Sequence, residues 1–85
     1  MDTENRSFSA LVKKMRRQLA LSQEDLARQL GVSYATVNRW ENGRSMPSKL
    51  AKAQLKAFCE KMIERGKLTL PADMIDFADL GSDKN

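Results

Sequence analysis

Hydrophobic residues Phe8, Leu11, Val12, Met15 and Leu19 recur at spacings of three and four, with Lys13, Lys14, Arg16 and Arg17 mostly off their line. That is one apolar face of a helix. With Ser7 as N-cap, it predicts a first helix near residues 7–20. Ser22-Gln23-Glu24-Asp25 has the form of a capping motif, with acids in the first turn to meet the helix dipole. Leu26, Ala27 and Leu30 make the inner face of this second helix, residues 23–30, and Gly31 ends it as a left-handed cap.

After Val32, Ser33 caps a third helix. At about 100° per residue, Thr36, Val37, Trp40 and Glu41 fall on one side, and Tyr34, Ala35, Asn38, Arg39 and Asn42 on the other. Gly43 ends it. Pro47 suits the first turn of a fourth helix, which needs no amide hydrogen there. From Ser48 to Arg65 neither Gly nor Pro intervenes, so one long helix is expected over residues 48–65. Leu50, Ala51, Leu55, Phe58, Cys59 and Met62 are its expected inner stripe. Lys49, Lys52, Lys56 and Lys61 are its wet side, and Gly66 stops it. Leu68-Thr69-Leu70-Pro71 is an extended break. Pro71 to Leu80 suggests one more short helix carrying Met74, Phe77 and Leu80, followed by a loose end. The pattern therefore describes an all-α chain of four to five helices, with a domain over residues 1–66 and a short C-terminal tail over residues 67–85.

At 85 residues the chain holds one small domain with a thin core. Its charge is uneven: residues 1–66 carry 13 Lys+Arg against 7 Asp+Glu, while residues 67–85 carry 2 against 4. A basic body with an acidic tail suits a polyanion partner; ordinary solubility would explain the charge about equally well. One cysteine, Cys59, excludes an intramolecular disulfide and fits a reducing, cytoplasmic setting. It lies on the apolar stripe, as a small inert core residue would. The N-terminus has no signal-peptide run, and no stretch is long and apolar enough to span a membrane. With no histidine and a single cysteine, zinc sites and Cys-His chemistry are excluded. No phosphate loop, metal-ligand set or nucleophile–base pair is present. The chain is therefore expected to be no enzyme and to need no cofactor and no metal.

The third helix carries the informative chemistry. The major groove of B-DNA admits one α-helix and shows it a distinct edge at each base pair. Val37 and Trp40 can anchor such a helix inward, which leaves Ser33, Tyr34, Ala35, Asn38 and Arg39 as base-contacting candidates. Arginine can bond guanine twice, asparagine can do the same with adenine, and alanine can touch a thymine methyl. Tyr34 can stack on sugar or bond a phosphate. Gln23, with the free N–H groups at the start of the second helix, is a phosphate candidate. Asn42 and Arg44 are placed for a second phosphate cluster.

The run Leu21-Ser22-Gln23, Leu26-Ala27, Leu30-Gly31-Val32-Ser33, Val37, Trp40-Glu41-Asn42-Gly43 resembles the helix-turn-helix of the Cro/cI phage-repressor family, also called the Xre family. The likeness runs back through the first helix and forward to Pro47, roughly half the chain, and as a spaced set it is highly specific. It implies a lambda-repressor-like fold and a sequence-specific double-stranded DNA-binding regulator of transcription. It places Tyr34, Ala35 and Arg39 at the family's base-reading positions with Asn38 alongside. Gln23 would touch the backbone beside the bases, and Asn42 and Arg44 would hold the backbone. Arg16 and Glu41 would form the ion pair between the first and third helices, in agreement with Glu41 at the edge of the inward face. A homodimer on a near-palindromic operator follows from the small reach of one recognition helix. The chain departs from the family at Tyr34 and Ala35, where many relatives carry glutamine or serine, so no operator carries over. A single long helix also replaces the family's fourth and fifth helices, which leaves the dimer surface the least transferable part.

The rival expectation is an antitoxin that binds a protein toxin, through the C-terminal tail, and regulates itself through the same motif. A third is the targeting module of a system such as a restriction–modification controller. For single residues the plainer assignments are Trp40 as core, the Arg16–Glu41 pair as structural and the helix-4 lysines as a solvated face.

Overall fold

Four helices, each closed by a left-handed turn, make up the computed structural model, which describes residues 3–70, with side chains from Arg6 onward. They are α1 (Thr3–Gln18), α2 (Gln23–Leu30), α3 (Tyr34–Glu41) and α4 (Lys49–Glu64). Every one ends in the same paired hydrogen bonds. Leu21 N–H donates to Arg16 O and Ala20 N–H to Arg17 O after α1. Val32 to Ala27, Arg44 to Arg39 and Lys67 to Met62 repeat the longer bond after α2, α3 and α4. These turns satisfy carbonyls that would otherwise lack partners at a helix end. Glycine occupies the left-handed position at Gly31, Gly43 and Gly66; after α1 it is Ala20, at φ 57°.

The N-termini are equally local. Ser22 accepts from Asp25 N–H while the Asp25 carboxylate accepts from Ser22 N–H, a full capping box. Ser33 accepts from Thr36 N–H and Ser48 from Ala51 N–H. The first helix departs from expectation: it starts at Thr3, so Ser7 lies exposed inside it and does not cap it. Nothing in residues 3–6 breaks a helix, and the turn simply continues backward. Pro47 likewise stands just ahead of the cap Ser48, buried and outside α4, because the Ser48 hydroxyl sets the first turn one residue later.

The α2–α3 and α1–α3 contacts are the most extensive, and α4 lies against α2. Phe8, Leu11, Val12 and Met15 meet Leu26, Leu30, Val37, Trp40 and Leu55 in one core, with Phe8 and Trp40 edge-to-face at 5.5 Å. Leu50 does not join them; it is 73% exposed. At the helical repeat it stands roughly 110° from the axis of the Ala51, Leu55, Phe58 and Met62 stripe. Beyond Gly66 the core continues: Leu68 and Leu70 are buried, and Gln18 holds the segment by donating to Thr69 O and accepting from Thr69 N–H, both at 2.8 Å. The folded unit thus extends to Leu70, four residues past the boundary expected at Gly66. The short helix expected over residues 71–80 lies outside the described residues.

Cys59 is buried 3.2 Å from the Met15 sulfur, and burial pushes its thiol up to about 12. A thiol so far from ionising is an inert core group.

Candidate nucleic-acid interface

α3 is gripped from inside by Val37 and Trp40, which are fully buried, and its opposite side is open. Tyr34 is 51% exposed, and Ser33, Ala35, Arg39, Asn42 and Arg44 are exposed with it. Asn38 is half-buried at the margin. The side chains of Tyr34, Arg39 and Arg44 make no hydrogen bond or ion pair among the described residues. Ser33 is occupied at the helix start, where its hydroxyl takes Thr36 N–H and lies 2.9 Å from the Thr36 hydroxyl.

The inner end of α3 is the reverse. Glu41 is only 4% exposed, and three groups converge on it. Arg16 donates from Nε at 2.6 Å and from Nη2 at 3.0 Å, and Gln23 donates from Nε2 at 3.0 Å. The Glu41 backbone carbonyl accepts from the buried Ser9 hydroxyl. Arg16 spends a further donor on Leu21 O at 3.1 Å, which ties the turn before α2 to the same point. The two-pronged pair between α1 and α3 is therefore present. Burial alone would raise the Glu41 carboxyl, but the hydrogen bonds from Arg16 and Gln23, with the charges of Arg16 and Lys13, hold it below the usual carboxylate range. The same hydrogen bond raises the Arg16 guanidinium.

A line of amides joins these two ends. Asn42 Nδ2 donates to Asn38 Oδ1 at 3.0 Å, Asn38 Nδ2 donates to Gln23 Oε1 at 3.2 Å, and Gln23 passes on to Glu41. Because a carboxylate only accepts, Gln23 must turn its nitrogen to Glu41 and its oxygen to Asn38. That fixes the sense of the whole line. Each amide keeps hydrogens and lone pairs to spare for an outside ligand. Gln23, expected as a backbone contact, is thus also a structural bridge from α2 to α3. The bridge and the Ser9 bond escaped the sequence reading, because residue types and periodicity do not by themselves pair residues on different helices. The Asn38–Asn42 bond had a signal, their spacing of four on one helix.

Among the described residues, no three His, Cys, Asp or Glu side chains gather closely enough to hold a metal ion. No helix among them is long and apolar enough to cross a membrane.

Residues 12–51 match the helix-turn-helix family, a span that begins inside α1 and closes at the first turn of α4. This segment is a helix-turn-helix of the Cro/cI type. Its geometry agrees with the assignment: α2 and α3 are joined by the left-handed Gly31 and a capping serine, and α3 packs on α1 and α2 while one of its sides stays exposed. The helix-turn-helix family is one of DNA-binding regulatory modules, and the match supports that role at family level for residues 12–51. The chain is also similar to the type II methyltransferase M1.ScrFI of Lactococcus lactis subsp. cremoris, 35% identical over 78 residues. That likeness takes in 87% of this chain and 20% of the methyltransferase, so the chain spans about a fifth of its relative's length. No solved structure matches.

Proposed function

We propose that this helix-turn-helix protein binds double-stranded DNA sequence-specifically and regulates transcription by laying α3 in the major groove. The observation that carries the reading is the division of α3: a fully buried Val37–Trp40 anchor and, opposite it, Tyr34, Ala35 and Arg39 standing free. Ser33, Tyr34, Ala35, Asn38 and Arg39 face the bases. Arg39 carries a guanine-type contact and Asn38 an adenine-type one, in keeping with their donor and acceptor sets. Gln23, Asn42 and Arg44 hold the backbone on either side, which sets the position of α3 without reading sequence. Two copies related by a twofold axis cover two half-sites about 34 Å apart.

A second reading has an observation of its own. The likeness to part of a type II methyltransferase favours a module that directs or regulates such an enzyme through DNA. The antitoxin alternative has no comparable support.

Selection of bound duplexes from a random pool tests both readings. Enrichment of a twofold-symmetric motif with the stated spacing supports the dimeric regulator. Enrichment of a motif matching the recognition sequence of a methyltransferase encoded beside this gene supports the second. A pool that stays random contradicts base reading by α3.

A further inference from the structure

Of the cations on the outer face of α1, only Lys13 has a part so far, through its charge on Glu41. Arg6, Lys13, Lys14 and Arg17 line one groove together with Asn42 and Gly43 from the end of α3. None of these four cations forms an ion pair or side-chain hydrogen bond among the described residues. The one acid that lines the groove, Glu41, is hydrogen-bonded to Arg16 and Gln23 and feels the charge of Lys13 at longer range. Four cations against one carboxylate, itself paired with Arg16, leave the groove a net positive surface. It is also continuous with the proposed interface, since Asn42 lines it and bonds to Asn38 on α3.

A lysine run on a helix is commonly just a solvated face, as on α4. Two features set α1 apart. Its cations border a groove that a second element closes, and that element is the end of the helix proposed to enter DNA.

We infer that this groove is a second DNA-backbone site, in which Arg6, Lys13, Lys14 and Arg17 take phosphates flanking the segment that α3 reads. The inference rests on the reading of α3 as the duplex-facing helix. It lengthens the footprint past the bases touched and adds affinity without adding sequence preference.

The test compares two variants of equal charge. Lys13→Gln, Lys14→Gln and Arg17→Gln together remove three cations from the groove. Lys61→Gln, Arg65→Gln and Lys67→Gln remove three exposed cations from the far end of α4 and the segment after it. Glutamine keeps each helix and most of each stem. The salt dependence of binding is measured for wild type and both variants, on a duplex that wild type selects and on a scrambled one. Each phosphate contact contributes about 0.9 to the slope of log affinity against log salt, so the groove variant should lose about 2 to 3 units and the control much less. The preference for the selected over the scrambled duplex should be unchanged. A groove variant with the wild-type slope, or a control that falls equally, overturns the groove as a site while leaving α3's role intact. Loss of sequence preference in the groove variant overturns it as a backbone site. Wild-type protein that retains no duplex at low salt removes the reading of α3 itself.

Discussion

The two faces of α3 are built on opposite principles. On the inner face every polar group is paired: Glu41 takes Arg16 twice and Gln23 once, and its carbonyl takes Ser9. On the outer face Tyr34 and Arg39 have no partner within the described residues. Buried polar groups are costly unless satisfied, and exposed ones cost little when left open. The inner face can therefore be read as stability and the outer as capacity for a ligand. Only the amide line Asn42–Asn38–Gln23 belongs to both.

Substitutions on the two faces should separate these roles. The largest effect is expected inside. Glu41→Ala strips Arg16 and Gln23 of their acceptor and should lower stability by about 3 kcal/mol, near the low end for a broken buried pair because Arg16 keeps some water access. Thermal melting checks it, and an unchanged melting temperature would mean that the pair contributes nothing. The same carboxylate sets a pH dependence. Its folded pKa lies below the ordinary value of 4.5, so its stabilisation is full above that value and is lost as pH falls through the folded pKa. Asp25, held low by hydrogen bonds from Ser22 and by Arg28, adds in the same direction. Melting temperature should therefore drop below about pH 4.5, and Glu41→Gln should flatten the drop without abolishing it.

Next in size is the outer face. Arg39→Ala should cost about 2 kcal/mol on the selected duplex and relax one base position, with melting unchanged. Equal loss on all duplexes would make Arg39 a backbone contact. Arg44→Ala should weaken binding uniformly and reduce the salt slope by about one unit; an unaltered slope would take Arg44 out of the footprint. The smallest effect lies away from both faces. Ala20 holds a left-handed backbone that disfavours a Cβ, so Ala20→Gly should stabilise by about 0.5 kcal/mol, the relief of strain exceeding the added chain entropy. A lowered melting temperature would show that the turn is not strained.

Local signals were the legible ones. The capping serines 22 and 33, the glycines after α2, α3 and α4, and the Val37–Trp40 anchor all follow from short-range rules, and α2 keeps its expected residues 23–30. The misplacements arose where a local rule had a competitor. Ser7 is a good cap, but nothing upstream ends the helix. Leu50 is apolar, but its angular position, not its hydropathy, decides burial. Pro47 suits a first turn, but Ser48 takes the cap. Across elements, residue types alone were mute. The Arg16–Glu41 pair was anticipated only through family resemblance, and the Gln23–Asn38 bond and the Gln18–Thr69 clamp join residues that no periodicity connects.

The central claim, that the open side of α3 is the surface a duplex meets, is tested most directly by nuclear magnetic resonance titration of labelled protein with its selected duplex. The account predicts shifts in the backbone amides of Tyr34 and Ala35 and in the side-chain nitrogens of Asn38 and Arg39, with the Trp40 indole nearly still. Shifts gathered on α4, with Tyr34, Ala35, Asn38 and Arg39 silent, would contradict it.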